Sequence, residues 1–155
     1  MGFFEGGGQM LVKFIIDGQQ FEVDDQEELR IDSENIYKER VRFAVRKSWF
    51  ATASAQYAVK KDELYHQLKV LKSMLFKEYK EKKGVDGKLP SDSTVENLVL
   101  ADERYSKLLG EYFVISDVAG KLSAIVDAFG DKKDMLLEIS RDRRREMDLE
   151  VGGGA

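Results

Sequence analysis

The chain has no cysteine, one histidine, one proline and one tryptophan among its 155 residues. Without cysteine there is no disulfide framework, no thiolate metal site and no cysteine nucleophile. His66 alone cannot build a histidine-based zinc site, and a Ser-His-Asp triad would hang on that one residue. It falls on the polar side of the Leu64–Leu68 seam, where a solvated helix-face histidine is the simpler reading. Long apolar runs are also missing. The longest uncharged stretch, Ser48 to Val59, is too short and too rich in Ser, Thr and Ala to cross a bilayer. The opening residues lack the basic region and apolar run of a secretory signal, so a cytoplasmic protein is expected. Gly6-Gly7-Gly8 is not followed by Gly-Lys-Ser/Thr and forms no phosphate loop. Asp102-Glu103 and Asp127/Asp131 read as solvated carboxylates rather than Mg²⁺ ligands. With no general base beside a plausible nucleophile, the sequence predicts a protein that is not an enzyme, with no metal site and no cofactor.

What is abundant is charge. Charged residues make up 35% of the chain, against roughly 25% in an average domain, while 43% is hydrophobic, enough for a core. The net charge of −4 conceals blocks. Residues 1–35 carry two bases and nine acids, 36–90 carry 14 bases and six acids, and 91–155 carry nine bases and 14 acids. Such segregation suits either an anionic partner for the middle block or neutralisation between segments or subunits.

Asp17-Gly18 between two β-prone runs, Leu11–Ile16 and Gln19–Val23, predicts a β-hairpin over 11–24. A flexible terminus is expected over 1–10 and an acidic linker over Asp24–Glu28. Asp32 or Ser33 is the expected N-cap of a helical stretch that meets no Gly or Pro until Gly84. Whether it is one helix or a pair broken near Thr52 stays open at this point. Gly84, Gly87 and Pro90 mark a loop over 84–93, and Ser93 with Glu96 reads as the next helix's capping box. From there Leu98, Ala101, Tyr105, Leu108, Tyr112, Ile115, Ala119, Leu122, Val126 and Phe129 step alternately by three and four, as in a coiled coil. Eight of them, Leu98, Tyr105, Leu108, Tyr112, Ile115, Leu122, Val126 and Phe129, are the candidate oligomerisation surface. The seam continues through Lys133, Leu136 and Ser140, and Gly130 is a candidate helix end or kink. The fold expected is mainly α: a long-helix bundle or coiled coil with an N-terminal hairpin, oligomeric, its helical domain at 31–147 and a flexible tail at 148–155.

The constellation with chemical meaning is basic. Lys69, Lys72, Lys77, Lys80, Lys82 and Lys83 cluster before the loop, interleaved with Phe76 and Tyr79. Ammonium groups at helical spacing can follow a phosphate backbone, and a ring such as Tyr79 can stack on an unpaired base. The candidate nucleic-acid-binding set is therefore Lys69, Lys72, Lys77, Tyr79, Lys80, Lys82 and Lys83. Its competitor is a solvated helix end whose lysines complement the macrodipole. Arg40, Arg42, Arg46, Lys47, Lys60 and Lys61 would enlarge the positive region. Arg141, Arg143, Arg144 and Arg145 form a second cluster, explicable by pairing with Glu138 and Asp142. Nothing here reads base edges, so binding would be sequence-independent and salt-sensitive.

Taken in order, several segments resemble the bacteriophage recombination mediators of the UvsY type, over roughly residues 31–147. They are Ile31-Asp32-Ser33, Ser48-Trp49, Lys60-Lys61-x-Glu63 before a basic helix ending at Gly84, Val95-x-x-Leu98-x-x-Ala101-Asp102, and a closing basic segment. The hairpin, the lysines around Tyr79 and the arginine-rich end depart from the pattern. The resemblance implies a small helical protein that forms ring-like homo-oligomers and binds single-stranded DNA, with contacts near Lys72, Lys77 and Lys80. It also implies help in loading a RecA-like recombinase onto strands coated with single-strand-binding protein, in the host cytoplasm if the chain is phage-encoded. The alternative is a helical adaptor, assembly chaperone or inhibitor acting through protein contacts without nucleic acid.

Overall fold

Asp17 and Gly18 both take positive φ, 50° and 78°. Two such residues form the turn whose twist matches the flanking strands, and they set the register of the hairpin. In the computed structural model, which describes residues 10–154, β1 (Leu11–Ile16) pairs antiparallel with β2 (Gln19–Asp24), Phe14 opposite Phe21 and Val12 opposite Val23. Alternation sends Val12, Phe14 and Val23 inward while Leu11 and Ile15 stay exposed. All but the last residue of the flexible terminus expected over 1–10 lies outside the described residues. A Cβ at Gly18 would meet nothing, so the cost of a side chain there is conformational. Gly18→Val should lower stability by about 1–2 kcal/mol in urea unfolding, whereas Gln20→Val on β2 should not.

The expected acidic linker is ordered. Asp24 caps a single turn, α1 (Asp25–Glu28), by accepting from the Gln26 N–H at 2.9 Å. Arg46 then grips Glu28 with two parallel bonds of 2.6 and 2.9 Å, while Arg42 donates to the Glu28 and Arg30 carbonyls. Asp32 only closes a local turn with the Glu34 N–H; Asn35, not Asp32 or Ser33, accepts from Lys38 and precedes the helix.

That helix, α2 (Ile36–Lys80), is unbroken for 45 residues. Its small-residue stretch does not interrupt it: Thr52 donates its hydroxyl to the Ser48 carbonyl without leaving the helix, and Ala53 is fully buried. Phe43, Phe50 and Tyr57 recur every seven residues as buried positions. The loop folds on itself, Gly84 and Gly87 sharing a backbone bond, with Gly87 at φ 72°. Ser91, two residues before the expected cap, accepts from Thr94 and opens α3 (Asp92–Ala101). After Asp102, α4 (Glu103–Gly152) runs for 50 residues.

Two compact units divide the molecule, and α2 and α4 each contribute to both. The first holds the residues up to Ala55 and those from Gly120. Its core is aromatic: Phe14 meets Phe21, Trp49 and Phe50, and Phe129 meets Phe43 edge-on at 5.2 Å and Phe50 at 5.5 Å. Leu122, Ile125 and Leu136 complete the buried stripe of α4. The second unit, Gln56–Ala119, centres on Leu75, Val95 and Val99, with Leu71, Phe76, Tyr79 and Tyr105 around them.

The continuous heptad seam is corrected in two places. Asp102 leaves the helical region at ψ 132°, so Leu98 and Ala101 belong to a separate helix whose inward face is Val95 and Val99. Leu122 and Phe129 have no exposed area and are used in the chain's own core. Gly130 neither ends nor breaks α4, and residues 148–152 of the expected tail are its final turns.

Candidate nucleic-acid interface

Of the lysines before the loop, Lys69, Lys72, Lys77 and Lys80 lie on α2 and Lys82 and Lys83 just after its end, all inside the second unit, and they divide into two groups. Lys80 is structural. Its Nζ donates to the Pro90 carbonyl at 2.8 Å and to Asp92 at 2.7 Å, clamping the loop to the start of α3. Lys82 approaches Glu78 at 3.8 Å and lies 5.2 Å from the centroid of the Tyr79 ring. Tyr79 itself packs against Leu75, Val95 and Val99, so its ring is not free to stack on a base. Lys69, Lys72, Lys77 and Lys83 are exposed and have no carboxylate partner among the described residues, although Lys69 lies over the Tyr65 ring at 4.5 Å. Of the seven expected residues, four therefore face solvent as open cations, and three are occupied by the fold.

The wider positive region shrinks in the same way. Arg42 and Arg46 are tied to Glu39, Glu28 and nearby carbonyls, and Arg46 also lies over Trp49 and Phe50. Lys60 covers Tyr57. Arg143 donates to the Ser33 carbonyl and Arg145 approaches Asp142 at 3.9 Å, while Arg40, Arg141 and Arg144 are exposed.

One constellation escaped sequence reading. Asp102, taken there as a solvated carboxylate, is buried at the α3–α4 junction. It accepts from the Tyr79 hydroxyl at 2.7 Å and from Arg104 through its backbone N–H and guanidinium; Arg104 reaches on to Glu78 at 3.3 Å. The Arg104 bonds, with the Tyr79 hydroxyl second, hold the Asp102 carboxyl far below its usual range. Asp102 in turn raises the Arg104 guanidinium and pushes the Tyr79 phenol upward by accepting its proton. A carboxylate held ionised at neutral pH, its oxygens all engaged, is a joint rather than a general base. The only sequence hint was Asp102-x-Arg104 after an apolar run, which is too short to be specific.

Apolar residues are also left uncovered in the second unit: Phe113 and Val114 of α4 are each at least 60% exposed. Tyr65 and Tyr112 touch at 6.1 Å nearby. Among the described residues no cluster of three or more acidic or histidine side chains could hold a metal ion, and no helix is long and apolar enough to cross a membrane. Comparison of the chain with protein families, with curated proteins and with solved structures finds no match.

Proposed function

We propose that this protein is a non-catalytic, self-associating helical accessory factor that holds single-stranded DNA without regard to sequence. The observation that carries this reading is the set Lys69, Lys72, Lys77 and Lys83: four exposed ammonium groups within 15 residues, none of them paired with a carboxylate among the described residues. Ion pairing within the chain would have been the simplest way to neutralise them. Left open, they attract a polyanion, and repetition across copies turns weak single-site binding into a usable grip. With Tyr79 occupied, the grip is electrostatic rather than stacked. The resemblance to UvsY-type mediators extends the proposal to loading a RecA-like recombinase on strands coated with single-strand-binding protein.

The test is fluorescence anisotropy with a labelled oligothymidylate at about 50 mM salt, a range in which phosphate contacts dominate. Wild type should bind, and affinity should fall steeply as salt rises. Lys72→Glu, Lys77→Glu and Lys83→Glu together should weaken binding at least tenfold with helicity unchanged. Absence of wild-type binding, or a triple variant that binds as well, removes the proposal.

A second reading is favoured by the internal use of Lys80 and Tyr79 and by the exposure of Phe113 and Val114. In it the protein is an adaptor whose contacts are with other proteins, and the open lysines only keep it soluble.

A further inference from the structure

In the first unit, α2 and α4 leave a groove of about 630 Å³. Val41, Ala44 and Phe129 line it, and Arg40, Lys47 and Lys133 stand around it. The α2 side of the groove runs from Tyr37 to Ala51, about four turns, which is the length of a short helical ligand. Its cations have no ion pair among the described residues, and the Lys47 Nζ reaches α4, 3.6 Å from where a side chain at Gly130 would begin. The groove is thus apolar inside and positive at its margin.

The complementary surface is on the same chain. From Arg141 to Gly152 every residue of α4 is exposed, although the segment remains helical. Its last turns put Glu146 and Glu150 beside Met147 and Val151 at spacings of three and four, with Met147 63% and Val151 84% exposed. No basic residue lies in the final turn, so Glu150 sits at the negative end of the helix macrodipole, and no base follows Glu146 before the helix ends. A cationic groove with an apolar interior relieves both the charge and the exposed apolar area.

The groove cannot be filled by the tail of its own chain. Its α4 wall ends at Leu136, and Met147 lies 11 residues further along the same unbroken helix, about 16 Å away along the axis. We infer that the last two turns of α4 from a second copy occupy the groove formed by α2 and α4, Glu146 and Glu150 facing Lys47, Lys133 and Arg40. This deepens the self-association on which the proposed function rests. Two different surfaces meet, so the contact is heterologous and repeats head to tail, giving a ring if the rotation closes and a filament if it does not.

The test is a charge swap read by sedimentation velocity without DNA. Wild type should grow in mean mass as concentration rises through the micromolar range. The groove variant Lys47→Glu/Lys133→Glu and the tail variant Glu146→Lys/Glu150→Lys should each need at least tenfold more protein to associate, because groove and tail then repel. Mixed one to one, they should regain wild-type association, since each groove finds a tail of opposite charge on the other variant; circular dichroism establishes that both are folded. A monomeric wild type at 100 μM, variants that associate normally, or a mixture that stays dissociated overturns the inference. Because no DNA is present, such a failure leaves the lysine reading to its own anisotropy test. Failure of that test alone leaves the groove–tail contact in place.

Discussion

Phe129→Ala should lower the unfolding free energy by about 3–5 kcal/mol. The side chain has no exposed area and meets two rings, Phe43 edge-on and Phe50 at a tilt. Its removal deletes a large apolar group and both aromatic contacts at once. The hole has little chance to collapse, because Phe50 is itself held by Phe14 of β1 and by Trp49 beside it on α2. Phe129→Leu, which keeps most of the volume, should cost far less. Urea unfolding followed by circular dichroism measures both; equal midpoints for wild type and Phe129→Ala would contradict this packing.

Asp102→Asn should remove most of the acid sensitivity of the second unit. The carboxyl is held below its ordinary value chiefly by Arg104 and then by Tyr79. A depressed folded-state value means that the stabilisation is fully present above the unfolded value, about 3.9, and is lost progressively as pH falls below it. Wild type should therefore lose stability between about pH 4 and pH 2 by more than Asp102→Asn does, while at pH 7 the variant should be the weaker protein. Tyr79→Phe removes the second donor and should shift the acid loss in the same direction by a smaller amount. Thermal melts at pH 7, 4 and 2.5 decide it: a difference between wild type and Asp102→Asn that does not change with pH would mean that the carboxylate's charge contributes nothing.

The hairpin could be read directly because Asp17-Gly18 acts locally: two adjacent positions tolerate positive φ, and alternation does the rest. The helical character of residues 36–80 was legible for a similar reason, since no residue there forbids helix, but its being one unbroken helix rather than a pair was not. Helix ends were less visible. Ser91 and Ser93 are both competent caps, and only the path of the loop, pinned by Lys80 on the Pro90 carbonyl, selects Ser91. The seam failed at Asp102 because periodicity counts residues and is blind to one whose side chain finds partners outside its helix, here Tyr79. For the basic cluster, spacing located the lysines but not their partners. Lys80 and Lys69 look alike in sequence, and one is a clamp while the other faces water.

Trp49, the single indole of the chain, stands among Phe14, Phe21 and Phe50 with the Arg46 guanidinium over its face at 4.7 Å. Two of those neighbours come from the hairpin and two from α2. The molecule therefore carries its own optical reporter: intrinsic emission responds when the β-ribbon lifts from the long helix. Detachment of the ribbon can be followed without any added dye.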